Sequence, residues 1–346
     1  MEVCKMVEKN LKYYRLLNHL SQEALAQQVG LNKMTISNYE NGKRVPDMST
    51  IRKIADALSI PMARLISSDG QNLEIKHGAF RKQSKVGKAI QELILECVDR
   101  YLSRLFNVIS VFGDAVLAPV PEIVREKVVN CEDAGQHLRK VLGLSESGPI
   151  GNITDILENK GYIICPVNIP EERFSGNSGI VNGRPYIAVN INMPAERQRF
   201  TLIHELAHLA FSFDVDQDEE RWVDKIAGAF LLPESDIKRE LGLKRSNIIG
   251  ALKPIQREYN VAMASIVIRA RQTGIISDAT YEDTQKWINA NGFRKDEKSG
   301  ILPEESHLLE QLTLRAVAEE EITLSKAAEL LEKPFIEVRE LCYGGV

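Results

Sequence analysis

The chain has 346 residues, of which 44% are hydrophobic and 27% are charged, as in a globular protein of more than one domain. Its apolar runs are shorter than the roughly 20 residues of a membrane span, and its first ten residues lack the apolar core of a secretory signal. We therefore expect a cytoplasmic protein without a membrane partner. The net charge of −4 conceals a basic N-terminal part, because residues 1–90 hold fifteen Lys and Arg against eight Asp and Glu. This imbalance indicates a polyanionic partner for that part alone.

Two short helices joined by a tight turn are predicted near the N-terminus. Ser21 is a suitable N-cap for the first helix, and Gly30 ends it. A second helix is predicted from about Asn32 to the Asn41-Gly42 pair, a typical stop signal. Two helices with a glycine-containing turn form a helix-turn-helix unit. Ile36 and Tyr39 can anchor the second helix, which leaves its polar side chains for phosphates and base edges.

This segment resembles the XRE (Cro/cI-type) repressor domain over about residues 5–66, and we assign residues 1–69 to it. The matching positions are Gln22, Leu25-Ala26, Gly30, Ile36-Ser37, Glu40-Asn41-Gly42, Pro46, Ile54-Ala55 and Leu58. The resemblance implies a five-helix domain that binds a double-stranded DNA operator as a homodimer. The expected DNA contacts are Gln22, Lys33, Met34, Thr35, Ser37, Asn38 and Lys43. A helical bundle that makes protein contacts is the alternative.

Residues 70–120 are predicted to form a linker and a long helix. The stretch from Asp69 to Lys88 is polar and basic, and apolar residues then repeat at helical spacing to about Val116. The helix could be a spacer, a dimerising helix or a lid on the next domain. Beyond it, helices alternate with a few predicted strands, so the fold class is α+β, mostly helical, with a small sheet.

The stretch RFTLIHELAHLAF, Arg199 to Phe211, places three titratable side chains in an apolar helix. His204 and His208 are four residues apart and therefore lie on one helix face, close enough to bind one ion. Neutral imidazole suits zinc, although manganese or iron could replace it. Glu205 lies beside the two ligands, where a general base is needed.

A second helix, EERWVDKIAGAFLLP from Glu219 to Pro233, is expected to supply the third ligand. Glu220 and Asp224 are four residues apart at the margin of its buried face, where carboxylates need cations or donors. A zinc ion for Glu220 and an imidazole N–H for Asp224 would meet both needs. Glu219 is the rival third ligand.

The motifs FTLIHELAH, E-x-x-x-D…A-x-x-F-L-L-P and YIAVN resemble the ImmA/IrrE family of metallopeptidases from about Pro121 to Ser277. The resemblance implies a zincin-like, gluzincin-type domain at 121–280, with His204, His208 and Glu220 as zinc ligands and Glu205 as the catalytic base. It implies a zinc endopeptidase that cleaves a repressor-type protein, here either this chain or a partner. A non-enzymatic metal-binding transcription factor, or an antitoxin-type autoregulator with a sensor domain, is the alternative.

Two further features of this region are weaker predictions. Tyr186 is a candidate for stabilising the oxyanion of peptide hydrolysis, and the strand that begins there could pair with an extended substrate. Residues 281–346 are predicted to be a C-terminal helical module, with a boundary marked by Gly300 and Pro303. Its last two helices look faintly like a second helix-turn-helix, but a capping bundle is favoured.

Overall fold

The structure is a computed structural model that describes residues 2–66, 73–78, 86–121, 125–214, 216–294, 297 and 299–344, without the side chains of residues 2–6 and 114. The chain divides into two compact units. Unit 1 comprises Met1–Leu73, Phe80–Asp114 and Leu309–Val346, and unit 2 comprises Glu74–Ala79 and Ala115–Leu308. Much of the predicted linker, residues 67–72 and 79–85, lies outside the described residues. Within the described ranges, no helix has the length and apolar character that a membrane crossing requires.

The described elements are mainly helices, as expected, with a small mixed sheet. In chain order they are α1 (Glu2–Leu17), α2 (Gln22–Val29), α3 (Lys33–Glu40), α4 (Met48–Ala57), α5 (Met62–Ile66), β1 (Ile75–His77), α6 (Lys88–Phe112), a 3-10 turn (Asp114–Val116), β2 (Glu126–Lys127), α7 (Cys131–Leu142), α8 (Ile153–Asn159), β3 (Ile163–Val167), β4 (Gly176–Val181), β5 (Arg184–Asn190), α9 (Ala195–Ala210), β6 (Phe211–Ser212), α10 (Glu219–Leu231), α11 (Glu234–Leu241), α12 (Ile249–Tyr259), α13 (Met263–Gln272), α14 (Asp278–Ala290), α15 (Leu308–Ala318), α16 (Leu324–Leu331) and α17 (Phe335–Tyr343).

Helices α1 to α5 form the expected five-helix domain in unit 1. The Ser21 hydroxyl caps α2 by accepting the Ala24 N–H at 3.0 Å, and Gly30 ends the helix with φ of 72°. A side chain is strained in that left-handed conformation, so glycine is the natural residue there. The core of the domain is apolar and includes Leu11, Leu25, Ile36, Ile54 and Leu65.

The C-terminal module predicted at 281–346 is divided between the two units, because α14 packs in unit 2 whereas residues from Leu309 onward belong to unit 1. In unit 1, α6 packs against both α1 and α16. The Arg100 guanidinium on α6 lies 4.3 Å from the Tyr13 ring centroid and donates to Glu332 Oε1 at 2.8 Å. Arg104 is 3.0 Å from the other oxygen of Glu332. The last helices are therefore attached to the long helix by charged contacts.

The sheet of unit 2 has the strand order β1-β4-β5-β3. β1 and β5 each pair with β4 in antiparallel fashion, and β3 pairs with β5 in parallel. β5 thus has a neighbour on both sides, so the expectation that this strand pairs with a substrate is wrong. The small second sheet joins β2 to β6 in parallel.

Helices α9 and α10 are held in unit 2 by apolar and polar contacts. Leu202, Ile203 and Leu206 of α9 share one core cluster with Val223 and Phe230 of α10. The buried side chain of Arg139 on α7 donates from Nε to the Phe230 carbonyl at 2.7 Å and from the guanidinium ends to two loop carbonyls. Because buried donors are costly unless paired, this set of acceptors fixes the end of α10 against α7.

Candidate metal centre and DNA-binding face

The two histidines of α9 are brought together as their spacing predicts. His204 is buried, with 2% of its surface exposed, and His208 is half-buried. Their Nε2 atoms are 3.1 Å apart. His204 Nδ1 lies 2.9 Å from Asp224 Oδ1, and His208 Nδ1 lies 2.8 Å from Glu219 Oε1.

These contacts define which ring nitrogens carry hydrogen. A carboxylate only accepts hydrogen bonds, so each Nδ1 is assigned as the donor, and in the neutral form of each ring Nε2 carries the lone pair. Two lone pairs that face each other at 3.1 Å repel one another unless a cation or a proton lies beside them. The donor set therefore fits a metal ion.

Glu220 completes the group from α10. Its Oε2 is 3.5 Å from His204 Nε2, and its Oε1 is 3.7 Å from His208 Nε2. All ligand atoms of His204, His208 and Glu220 lie within 4.8 Å of one another. Ligands about 2.0–2.1 Å from a tetrahedral zinc ion stand roughly 3.3 Å apart, close to these spacings. Zinc could therefore be held by small side-chain movements.

The electrostatics of the centre favour positive charge. Burial lowers the pKa of His204, but hydrogen bonds with Asp224 and Glu220 and the charge of Glu205 outweigh this effect and raise the pKa to about 9. Since metal binding requires a neutral imidazole, an incoming ion must displace a proton here. The same carboxylates that hold this proton would stabilise a divalent cation.

Glu205 is turned toward the sheet. It is 7% exposed, and its Oε2 accepts a hydrogen bond from the Ser178 hydroxyl on β4 at 2.9 Å. Gly176 on the same strand lies against it, since a Cβ there would be 3.3 Å from Glu205 Cγ and 2.5 Å from Thr201 Cγ2. A glycine is thus required for β4 to approach α9 this closely.

The structure adds two polar residues that the sequence analysis did not assign to these positions. Ser178 contacts Glu205, and Glu219 contacts His208 at Nδ1, the ring nitrogen that is not the candidate metal ligand. The signal for Glu219 was available: a second imidazole needs its own carboxylate partner. Tyr186 differs from expectation, because its hydroxyl lies 2.6 Å from His77 Nδ1 while the next residue, Ile187, packs in the core with α9. Successive residues of a strand face opposite sides, so Tyr186 lies on the side of the sheet away from α9.

Helix α3 and the loop after it carry the predicted DNA-binding residues of unit 1 other than Gln22, which begins α2. Ile36 and Tyr39 are buried in the domain core. Lys33, Met34 and Lys43 are exposed, Met34 by 69%, and the side chains of Thr35, Ser37 and Asn38 are half-buried. The Asn38 carbonyl accepts the N–H groups of Lys43 and Arg44, which ties the following basic loop to the helix. The neighbouring Arg44 is exposed as well and was not singled out from the sequence.

Gln22 occupies a more constrained position than the other predicted contacts. Its Nε2 donates to Glu40 Oε2 at 2.7 Å, and Arg15 donates to both oxygens of the same carboxylate. The Arg15–Glu40 pair is buried, so it joins α1 to the end of α3. The Gln22 amide nitrogen is therefore engaged within the domain.

Both parts of the chain match known families. A helix-turn-helix family model matches residues 11–65, and a model described as an IrrE N-terminal-like domain matches residues 166–271. The two matches define a helix-turn-helix regulator whose second unit contains an IrrE N-terminal-like domain. The chain belongs to the helix-turn-helix family of transcriptional regulators and carries an IrrE N-terminal-like domain. Both resemblances inferred from the sequence motifs are confirmed.

Individual relatives match the N-terminal part. Control protein C.SmaI of Serratia marcescens is 33% identical over 70 residues, 20% of this chain and 83% of that protein. The cryptic phage CTXphi transcriptional repressor RstR of Vibrio cholerae is 31% identical over 71 residues, 20% of this chain and 64% of the repressor. An HTH-type transcriptional regulator of Methanocaldococcus jannaschii is 43% identical over 49 residues, 14% of this chain and 74% of that protein.

A similarity to the crystal structure of ComR from Streptococcus suis extends over 99% of this chain and 94% of that one. Its sequence identity is 11% and its TM-score is 0.18, values that support no conclusion about fold or function.

Proposed function

We propose that this chain is a DNA-binding regulator whose second unit is a zinc endopeptidase that cleaves a repressor-type protein, either this chain or a partner. The observation that carries the proposal is the pair of facing Nε2 atoms, 3.1 Å apart, with the Glu220 carboxylate beside them. His204, His208 and Glu220 would hold the ion. What supports a metal site over an isolated histidine pair is this third group, Glu220, whose carboxylate oxygens lie 3.5 and 3.7 Å from the two Nε2 atoms.

The neighbouring residues suit peptide hydrolysis. A bound zinc ion would supply Lewis-acid polarisation of the scissile carbonyl. Asp224 and Glu219 each hold one imidazole by its Nδ1–H, which sets the orientation of the ring. Glu205 is the candidate general base, which takes a proton from the attacking water and returns it to the leaving amine nitrogen. The Ser178 hydroxyl orients that carboxylate through Oε2.

Glu205→Gln should abolish cleavage without removing the metal. Glutamine cannot accept the proton, and loss of a positioned general base lowers the rate by roughly 10²–10⁴-fold. The substrate is a tagged full-length chain that carries Glu205→Gln, incubated with zinc and either unaltered or Glu205→Gln enzyme. Intact mass spectrometry detects cutting of the tagged chain in trans, and cutting of the unaltered enzyme alone at a fractional rate that does not change with its concentration reports cutting in cis.

The control is the zinc content of the two enzymes, which should be equal because Glu205 is not among the proposed ligands. If both enzymes bind zinc and both leave every chain intact, including candidate repressors added separately, the peptidase proposal fails. A metal-binding sensor would then be the function to pursue.

We also propose that unit 1 binds a double-stranded operator through α3, as a homodimer on two half-sites. The exposed Lys33 and Lys43 suit phosphates, while Thr35, Ser37 and Asn38 offer hydrogen-bonding groups for base edges. The surplus of basic residues in the first ninety positions supports the same assignment.

Lys33→Ala combined with Asn38→Ala should weaken and broaden DNA recognition. Loss of a base-reading contact costs about 1–3 kcal/mol of binding free energy. Loss of a phosphate contact reduces by about one the slope of the logarithm of the binding constant against the logarithm of the salt concentration. The assay is selection from a random-sequence duplex library, followed by gel shifts on the enriched sequence at several salt concentrations. Lys9→Ala, an exposed lysine on α1, is the matched control and should behave as the unaltered chain. Equal enrichment by the double variant would show that α3 is not the recognition helix.

A further inference from the structure

The short strand β1 closes one edge of the sheet in unit 2. It pairs antiparallel with β4, with Ile75 opposite Val181 and His77 opposite Gly179. The ladder extends at both ends, because Gly78 N–H donates to the Ser178 carbonyl at 2.7 Å and Asn182 N–H donates to the Glu74 carbonyl at 2.9 Å. We call residues 74–78 the edge segment. The outer hydrogen-bonding groups of β4 are thus taken by this chain's own backbone.

The strand covered by the edge segment is the one that contacts the candidate base. Ser178 accepts the Gly78 N–H through its carbonyl and donates to Glu205 through its hydroxyl. β5 is paired on both sides, and β3 lies at the far edge of the sheet. The outer side of β4 is therefore the sheet edge nearest Glu205. Extended peptides bind at such edges by adding a strand.

Side chains of unit 2 hold the edge segment at two points. The Asn177 amide donates to the Gly78 carbonyl at 3.2 Å, and the Tyr186 hydroxyl lies 2.6 Å from His77 Nδ1. Gly179 leaves room for the segment, since a Cβ there would be 2.5 Å from the Lys76 carbonyl oxygen. These contacts fit one extended strand to the edge of β4.

The segment is nevertheless held mainly by polar contacts. Ile75 and His77 are half-buried and Lys76 is exposed, so little apolar surface is removed from water. Backbone hydrogen bonds exchange with water at a small net gain. A competing peptide that makes the same ladder can therefore displace the edge segment.

We propose that the outer edge of β4 is the peptide-binding edge of the catalytic site, and that residues 74–78 of this chain occupy it until an extended segment of a substrate protein displaces them. The inference rests on the proposed function for the hydrolytic step, whereas peptide binding can be tested without it. The displacing segment needs glycine opposite Ser178, since a Cβ at position 78 would lie 2.4 Å from the Ser178 carbonyl oxygen.

The test uses two proline variants that differ only in the direction of the lost N–H. Hydrogen-bonding directions alternate along an antiparallel strand, and Gly78 N–H faces β4. Lys76 N–H therefore also faces β4, whereas Ile75 N–H points away. Lys76→Pro should detach the edge segment, and Ile75→Pro is the matched control.

The probe is a fluorescent, amidated peptide with the sequence of residues 73–78, added to zinc-loaded full-length protein that carries Glu205→Gln. Fluorescence anisotropy should show that Lys76→Pro binds the peptide with a dissociation constant at least tenfold lower than that of the Glu205→Gln protein without a proline substitution or that of Ile75→Pro. A peptide with alanine in place of the glycine should bind at least tenfold more weakly. Equal uptake of the glycine peptide by all three proteins overturns the inference.

Zinc content and circular dichroism establish that each variant is folded. Should Lys76→Pro fail this check, His77→Ala replaces it, because it removes the anchor on Tyr186. It should raise peptide binding by a smaller factor, and no rise overturns the inference. Digestion of the tagged Glu205→Gln chain and of candidate repressors by the same variants with Glu205 restored separates the two proposals. Peptide uptake without digestion would leave the edge assignment standing and refute the hydrolytic function.

Discussion

Protein that carries Glu220→Ala should be purified with little bound zinc and should recover the metal only at far higher free zinc concentrations. The substitution removes the α10 carboxylate that lies 3.5 and 3.7 Å from the two Nε2 atoms. Two imidazoles alone leave zinc without the third protein ligand that catalytic sites use. We expect a loss of affinity larger than the roughly 10–100-fold that follows removal of a ligand's hydrogen-bonding partner. Elemental analysis and competition with a chelator of known affinity measure it.

Glu219→Ala is the matched control, because this carboxylate is adjacent in sequence but contacts the Nδ1 side of His208. It should weaken zinc binding by about 10–100-fold, the range for an orienting partner. If Glu219→Ala releases more metal than Glu220→Ala, the two carboxylates have been assigned in the wrong order, and Glu219 is the ligand.

The second large effect is expected for Glu304→Ala in unit 2. Glu304 is 3% exposed and forms a buried pair with Arg199 on α9. It also accepts the N–H groups of Ile153 and Thr154, which begin α8, at 2.8 and 2.9 Å. Removing one partner of a buried ion pair costs about 3–5 kcal/mol, and the two orphaned N–H groups add to that loss.

Urea unfolding followed by tryptophan fluorescence measures this change, because both tryptophans, Trp222 and Trp287, belong to unit 2. Glu305→Ala is the control, since its exposed side chain lies 3.9 Å from His307 in a pair at the protein surface. Surface ion pairs contribute about 0–1 kcal/mol. If Glu304→Ala lowers the free energy of unfolding no more than Glu305→Ala does, the buried pair does not stabilise unit 2.

The part of the centre that could be predicted is the part encoded within one helix or by helix register. The four-residue spacing of His204 and His208 places them on one face in any α-helix, so their meeting needed no tertiary information. The choice of Glu220 as ligand and Asp224 as imidazole partner used the same rule on α10. The structure places Glu220 beside the two Nε2 atoms and Asp224 against His204 Nδ1, and the roles of both residues stay predictions.

The contacts that could not be predicted join segments far apart in the sequence. Ser178 reaches Glu205 from a strand, and Glu304 reaches Arg199 from a polar stretch that looked like a domain boundary. Neither partner has a periodic pattern that would reveal it. Isolated polar residues can be placed only when the packing of the whole unit is known.

The strand β1 was missed for a related reason. Its three residues, Ile75-Lys76-His77, lie in a stretch whose composition is that of a linker, and so short a run carries no useful alternation. Its conformation comes from the edge of β4 to which it is bonded. Likewise, the return of the last helices to unit 1 depends on the contact of Glu332 with Arg100 and Arg104, more than two hundred positions earlier in the chain.

The packing of α6 on α1 has a consequence for any scission in the stretch that connects α5 to α6. Arg100 contacts Tyr13 and also donates to Asn10, while Lys12 forms ion pairs with Glu92 and Glu96. Severing the backbone there would leave these contacts in place. The two pieces would separate under denaturing electrophoresis yet migrate as one particle in native conditions, so inactivation of such a regulator would require loosening of this helix pair as well as a broken peptide bond.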